Sequence, residues 1–384
     1  LKIALVHKRL DLHGGTERDL FTTAEGLRDR GHDVHLFCSE FGVPAPFGVS
    51  AHRIPVPPLG RSIRLWSFAT IAAGVVKRAE CDLVVSFGRM FDQDVLRSGA
   101  GTHRGFLKRL EKEGGADRRI RQSLSIYHRG LLALERRQFQ SPRLKKIIAV
   151  SDEVKRDIVL HYSVPAEKIL VLYNGVDRQR FHPKWRDEFR TSLRQRWNIP
   201  LDAPLVLFVG SGFLRKGLDR LISVWNSAQF SDVYLLVVGN DARLERYREW
   251  ADAIAPGRIV LAGWQNEVER YYGASDVVAL PALQEGFGNV VLEGLASGLP
   301  VLVSRDVGAA VLLRGCLSHG IVDRPDDVAE LAEKLLLLLA KAKDAAFQQA
   351  ARKVGEDHSW ERHFEQLDVV LRQACGTPGK TRVS

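Results

Sequence analysis

Asp276-Val-Val-Ala-Leu280-Pro281-Ala-Leu-Gln-Glu285-Gly-Phe-Gly-Asn289-Val-Val-Leu-Glu293-Gly-Leu-Ala-Ser-Gly298 decides the fold. Its apolar run, Asp276 to Leu280, stops at Pro281 and has the length of a buried strand. A turn with two glycines follows, and apolar residues return at helical spacing from about Asn289. The order is strand, turn, helix. Such a turn presents the amides of Phe287, Gly288, Asn289 and Val290 at a helix N-terminus, where the dipole also favours an anion. Glu285 precedes the turn and Glu293 lies about one helical turn inside. Carboxylates repel a phosphate but accept hydrogen bonds from hydroxyls. A phosphate cradle between two hydroxyl acceptors suits a nucleotide sugar. A glutamate on a loop and another near a helix start are also ordinary architecture, so the neighbouring sequence must decide.

Upstream, Leu205-Val-Leu-Phe-Val-Gly210 reads as a strand and Ser211-Gly-Phe-Leu-Arg215-Lys216-Gly217 as its turn. A helix is expected from Leu218 to Ala228. Val233 to Gly239, Arg258 to Gly263 and Val301 to Ser304 repeat the strand pattern with helices between, which implies a parallel sheet. Ligands of such sheets bind at the carboxyl ends of the strands. Arg215, Lys216 and the Glu285 turn all fall at that edge.

The first half repeats the logic. Lys2 to Val6, Gly31 to Phe37, Cys81 to Ser86, Val95 to Ser98, Lys146 to Val150 and Ile169 to Tyr173 read as strands. Helices are expected after Gly14-Gly15, through Leu27, and from Asp152 to Tyr162. Gly14-Gly15 lacks the G-x-G-x-x-G spacing, which disfavours a nicotinamide cofactor. Asn174-Gly-Val-Asp-Arg-Gln-Arg-Phe-His-Pro183 carries turn and breaker signals and reads as a linker. Beyond Asp326 the chain is helical, with Leu331, Leu335, Leu338 and Leu339 on one face and a last helix from Trp360 to Leu371. The expected division is 1–173, a linker and second-domain start over 174–203, a second domain over 204–359, a returning helix at 360–375 and a tail from 376.

Composition fits two α/β domains: 384 residues exceed one ordinary core, and no residue class is extreme. The four cysteines are scattered, which makes metal and disulfide readings poor and suits a reducing cytoplasm. No apolar run approaches the ~20 residues of a membrane span. The chain begins at Leu1, and Lys2 to Val6 reads as a strand rather than a signal peptide. Asp92-Gln-Asp94 has the form of a metal-holding D-x-D but no further ligand cluster nearby, so no metal is expected.

Taken together, the E-x7-E with Gly-Phe-Gly inside it, the N-G-V-D…F-x-P linker and the loop Gly210-x5-Lys216-Gly217 resemble the retaining glycosyltransferases of the GT-B fold, known as group 1. The resemblance runs in order over nearly the whole chain. It implies an α/β fold of two Rossmann-like domains facing across a cleft, with the last helix crossing back to the first domain. It implies that Glu285 holds donor-sugar hydroxyls, that Glu293 holds the nucleotide ribose, and that Arg215 and Lys216 grip the donor diphosphate. Gly286, Phe287, Gly288, Asn289, Val290, Gly14, Gly15 and Trp264 become donor-binding candidates. Asp19 and His103 become acceptor candidates, although an ordinary exposed helix aspartate reads equally well at Asp19. Ser211 stands where many members carry arginine, a departure shared with the subgroup that glucosylates the heptose region of lipopolysaccharide core. The implied reaction moves a hexose from a nucleotide diphosphate sugar, UDP-glucose, to a glycan or glycolipid acceptor, with no cofactor and no metal. The acceptor hydroxyl attacks from the leaving-group side.

Two other classes remain open: another sugar-nucleotide enzyme such as an epimerase, and a non-catalytic binder of membrane or nucleic acid. The second draws on charge. Between Thr102 and Lys146 there are thirteen Lys or Arg against four acids, a net of +9 out of the chain's +10. Phe106, Leu107, Leu110, Ile120, Leu124, Tyr127, Leu131 and Phe139 are interleaved with them at nearly helical spacing. Basic residues beside an apolar face suit an interfacial helix at an anionic membrane. A basic surface helix packed on its own domain reads nearly as well, and no nucleic-acid motif is present. The expected location is cytoplasmic, peripheral at the inner membrane face.

Overall fold

A computed structural model of the chain describes residues 1–12, 14–108 and 125–376. It divides into two compact units: Leu1–Tyr173 with the C-terminal helix from Glu361, and Asn174–Trp360.

Unit 1 is built on a parallel sheet of β1 Lys2–Leu10, β2 Asp33–Phe41, β3 Ser50–Arg53, β4 Leu83–Ser86, β5 Val95–Ser98, β6 Lys146–Ala149 and β7 Ile169–Val171. The strand order is β3-β2-β1-β4-β5-β6-β7. The chain first winds outward from β1 through β2 and β3, then returns to the other side of β1. The switch point is therefore between β1 and β4. Ile3, Ala4, Leu5 and Val6 are at most 1% exposed, because helices cover both sheet faces. The helix Gly15–Asp29 follows β1, and Gly26 lies so close to Phe364 of the helix Trp360–Cys375 that a Cβ would fall 2.2 Å from its ring.

Unit 2 repeats the plan with β8 Leu205–Val209, β9 Tyr234–Val238, β10 Ile259–Gly263, β11 Val277–Leu280, β12 Val301–Ser304 and β13 Ile321–Val322. The order β10-β9-β8-β11-β12-β13 puts its switch point between β8 and β11. The fold is thus α/β with two Rossmann-like parallel sheets, as the alternation of strands and helices implies.

Three local expectations differ. β1 runs four residues past Val6, because Arg9 and Leu10 still pair with Glu40 and Phe41 of β2. The helix expected through Ala228 ends at Ser223 and gives way to two 3-10 turns, Val224–Asn226 and Ala228–Phe230. There Ser227 turns extended, and the indole of buried Trp225 donates to the Val233 carbonyl at 2.8 Å. Tertiary contacts override helical spacing at that point. β3 and β13 were not expected from the sequence: β3 is a largely exposed edge strand without an apolar run, and β13 has two residues.

Candidate functional site

In unit 2 the switch point brings together the loops after β8 and β11. Gly217 has φ +79°, and a Cβ there would fall 2.0 Å from the Pro281 carbonyl oxygen, so only glycine lets the loops meet. The Leu283 amide donates to the Arg215 carbonyl at 3.2 Å and ties them. Arg215 and Lys216 end the short helix Phe213–Lys216, and both reach one oxygen of Glu285. Arg215 Nη1 lies 2.6 Å and Lys216 Nζ 3.3 Å from Glu285 Oε2. The Lys216 stem lies over Gly210, where a Cβ would fall 2.6 Å from Cδ. Its side chain is 13% exposed, against 44% for Arg215. Burial alone would raise the Glu285 carboxyl pKa, but the charges of Lys216 and Arg215 outweigh it and hold it below the usual range. The group is an anion with two cations on it.

Past Glu285 the backbone leans on the loop after β12: Gly308 donates to the Glu285 carbonyl at 3.2 Å and Ala309 to that of Phe287 at 2.8 Å. Gly286 and Phe287 therefore sit in a fixed turn, and Gly288 is the left-handed N-cap of the helix Asn289–Ala296. Asn289 and Val290 open that helix, and Asn174 Nδ2 donates to Asn289 Oδ1 at 2.7 Å. Glu293 is 9% exposed and its Oε2 accepts from the Tyr272 hydroxyl at 2.6 Å. That hydroxyl holds one carboxylate oxygen and leaves Oε1 for a second donor. Trp264 stands 40% exposed after β10, two strands from β8.

In unit 1 a cavity of about 860 Å³ opens beside the β1–β4 switch point. It is lined by His7, Thr16 and Glu17 on the β1 side and by Gly88 and Arg89 after β4. Gly14 caps and Gly15 opens the helix Gly15–Asp29 beside it. Glu17 folds back over Gly14, where a Cβ would fall 2.0 Å from Oε2, so the first glycine makes room for the carboxylate. His7, with its Nε2 3.5 Å from Oε1, lowers the Glu17 pKa against an upward push from burial.

Asp19 is not an exposed helix residue: it is 5% exposed, and Arg97, 2% exposed, reaches its Oδ2 at 3.1 Å. Arg97 rather than Asp19 faces the cavity. His103 is 9% exposed, in the helical residues 103–108, with Nε2 at 3.0 Å from His128 Nδ1. Burial, then the Arg89 charge and His128, push its pKa down to about 4, so the ring is neutral near pH 7. Its amide donates to Glu135. Asp94 is taken up by the Val84 amide at 3.0 Å and Lys145 at 3.3 Å. Among the described residues no group of three His, Cys, Asp or Glu could hold a metal ion.

Sequence reasoning passed over Tyr272, His7, Glu17 and Arg97. Tyr272 lies eight residues past the donor-binding candidate Trp264, but only the packing of the helix Val268–Ala274 shows which of Tyr271 and Tyr272 faces Glu293.

Two family models match: Glycosyl transferases group 1 over residues 189–354 and Glycosyltransferase Family 4 over residues 13–180. The chain is 26% identical over 340 residues to the lipopolysaccharide glucosyltransferase WaaG of Escherichia coli (strain K12), covering 86% of this chain and 87% of that protein. The crystal structure of WaaG, a glycosyltransferase involved in lipopolysaccharide biosynthesis, superposes with TM-score 0.82 at 24% identity over 96% of this chain and 99% of the other. Anabaena HepE in complex with UDP and glucose shares the fold at TM-score 0.72 and 20% identity, over 96% and 99% of the two chains. With one model on each unit, a relative along most of its length and the loops of both switch points in place, the chain belongs to the group 1 glycosyltransferases of the GT-B fold.

Proposed function

We propose that the chain is a retaining, metal-independent hexosyltransferase that moves glucose from UDP-glucose to a glycan of lipopolysaccharide core. The observation that carries the reading is the meeting of Arg215, Lys216 and Glu285 at the unit 2 switch point. As the donor C–O bond breaks, its electron pair moves to the leaving diphosphate. Fixed cations stabilise charge that grows there without reorganising. Lys216, enclosed and held over Gly210, is the better placed of the two. Glu285 receives donor hydroxyls, and Glu293 Oε1 receives the ribose while Tyr272 holds Oε2. A carboxylate held by two cations is a weak base, which supports attack by the acceptor hydroxyl from the leaving-group side. In that reaction the new O–C bond forms as the proton passes to the departing phosphate. The sugar and the lipopolysaccharide acceptor rest on the likeness to WaaG, whose name states glucosyl transfer to lipopolysaccharide; UDP and the core region rest on the motif resemblance. The four cysteines are unpaired, which suits work in the cytoplasm at the inner membrane face.

A binding screen of nucleotide sugars, followed by product analysis, tests the reading. UDP-glucose should bind and its anomeric configuration should be kept. Lys216→Ala should lower turnover more than it lowers affinity for the nucleoside monophosphate, because its contribution is greatest in the transition state. Activity should survive chelator. An inverted product, or activity restored only by Mn²⁺ or Mg²⁺, counts against the reading.

A further inference from the structure

The unit 1 cavity is unevenly charged. Lys8, Arg9, Arg61, Arg64, Arg89 and Arg97 line it against three acids, Glu17, Glu40 and Glu135. Several of the cations are committed. Arg97 is held by Asp19, Arg9 lies 2.7 Å from Asp11, and Arg89 lies 3.3 Å from Glu135. Glu135 is further committed to the Tyr162 hydroxyl at 2.5 Å and the His103 amide. Arg64 pairs with Glu40, both about half exposed, so that pair is weak and exchangeable. Lys8 and Arg61 have no ion-pair partner among the described residues.

The placement of Arg61, Arg64 and Lys8 adds to this. Arg61 and Arg64 occupy the first turn of the helix Arg61–Arg78, which has no acid there and no side-chain cap on Gly60. Cations at the positive end of a helix dipole are unfavourable, and an anion bound between them reverses the sign. Lys8 reaches the same cavity from the carboxyl end of β1. On the inner wall His7 is 6% exposed, and among the described residues neither ring nitrogen makes a hydrogen bond. Its Nε2 lies 3.5 Å from Glu17 Oε1. A buried imidazole left without hydrogen bonds on a cavity wall is costly unless a ligand supplies them. Hydroxyls, which donate and accept, suit both the imidazole and the carboxylate. A volume of about 860 Å³ accommodates sugar-sized ligands.

We infer that this cavity takes an acidic acceptor: a sugar whose phosphate or carboxylate oxygens are held by Lys8, Arg61 and Arg64 while its hydroxyls face His7 and Glu17. The inference rests on the glycosyltransferase reading above and specifies the acceptor class. Arg64 leaves Glu40 for the ligand anion, and the helix N-terminus gains the negative charge it lacks.

The test measures binding of mannose, mannose 6-phosphate and mannuronic acid to the full chain, with UDP-glucose binding measured in parallel. At low salt the charged sugars should bind about tenfold more tightly than mannose, through charge-assisted hydrogen bonds, and the advantage should shrink as salt rises. Whichever charged sugar binds more tightly identifies the preferred anionic group. In the Lys8→Gln/Arg61→Gln double variant the advantage should vanish while UDP-glucose affinity is unchanged. Equal binding of all three sugars, no binding of any, or an advantage that survives the double substitution overturns the inference and leaves the donor reading standing. Failure of the wild-type chain to bind any nucleotide sugar would overturn the donor reading first.

Discussion

Glu293, proposed to hold the ribose, would serve fold and ligand at once. Its Oε2 accepts from the hydroxyl of the fully buried Tyr272, so Glu293→Ala would remove the proposed ligand contact and that buried hydrogen bond together. The second loss alone costs ~1–3 kcal/mol of stability. Glu293→Gln keeps an acceptor for Tyr272 and isolates the ligand effect. In that variant nucleotide affinity should fall by the worth of a charged hydrogen bond, ~1.5–3 kcal/mol, with the thermal midpoint little changed. Calorimetry with UDP and GDP checks it; unchanged affinity for both would show that the ribose lies elsewhere. Glu285→Ala differs in kind. Its partners are two cations of the site, one of them 44% exposed, so activity should disappear while the fold survives.

At the scale of elements, the helix Trp185–Arg196 carries Arg186, Arg190 and Arg194 four residues apart, and all three converge on Asp276 just before β11. Asp276 Oδ2 also accepts the Leu205 amide at 2.9 Å, so one carboxylate joins this helix to the two strands that make the unit 2 switch point. Arg194 is fully buried, and burial, offset in part by Asp276, pushes its pKa down to about 10. Removing the acid leaves a buried cation uncompensated. Asp276→Asn should therefore cost about 3–5 kcal/mol, read from denaturant unfolding. A loss under about 1 kcal/mol would mean that the arginines find other partners.

For the whole molecule, acid sensitivity should come from unit 1. Burial first, then Arg89 and His128, lower the His103 pKa to about 4; burial, then Arg97, lowers His363 to about 3. The unfolded chain takes up a proton at each as pH falls through about 6.5, and the native chain does not. Stability from these groups is thus complete above that pH and falls as pH drops toward 4. Each histidine contributes about 1.4 kcal/mol per pH unit in that window. Thermal midpoints should drop between about pH 7 and 5, less steeply in His363→Asn, which can still donate to the Tyr173 carbonyl. A midpoint that is flat or rises over that window contradicts the assignment. The basic stretch 102–146 bears on where the protein sits. Its apolar residues Leu107, Leu131 and Phe139 are buried, so the helix Ile126–Phe139 turns its apolar face to its own unit. Leu110, Ile120, Leu124 and the basic trio Arg118, Arg119 and Arg121 lie outside the described residues. The proposal of a peripheral membrane contact therefore rests on 109–124. Binding to anionic vesicles should weaken steeply with salt and fall when that trio is neutralised, with nucleotide affinity unchanged. Equal binding to neutral and anionic vesicles, or none to either, refutes it.

What the sequence determined by itself was local. Buried parallel strands are continuous apolar runs, and the glycines at 217 and 288 mark places where the backbone must turn left-handed, so the strand-turn-helix units could be read in order. The two-residue β13 and the polar edge strand β3 carried no such signal. Tertiary structure alone decided which charges meet. Arg215 and Glu285 are 70 residues apart, Arg97 and Asp19 78, and Arg194 and Asp276 82. No spacing along the chain encodes those pairs, because the sheet order sets them when it brings β8 beside β11 and β1 beside β4. The same order moved Asp19 from an expected surface position into the core with Arg97, and left Lys8 and Arg61 on the wall of a cavity with no ion-pair partner among the described residues.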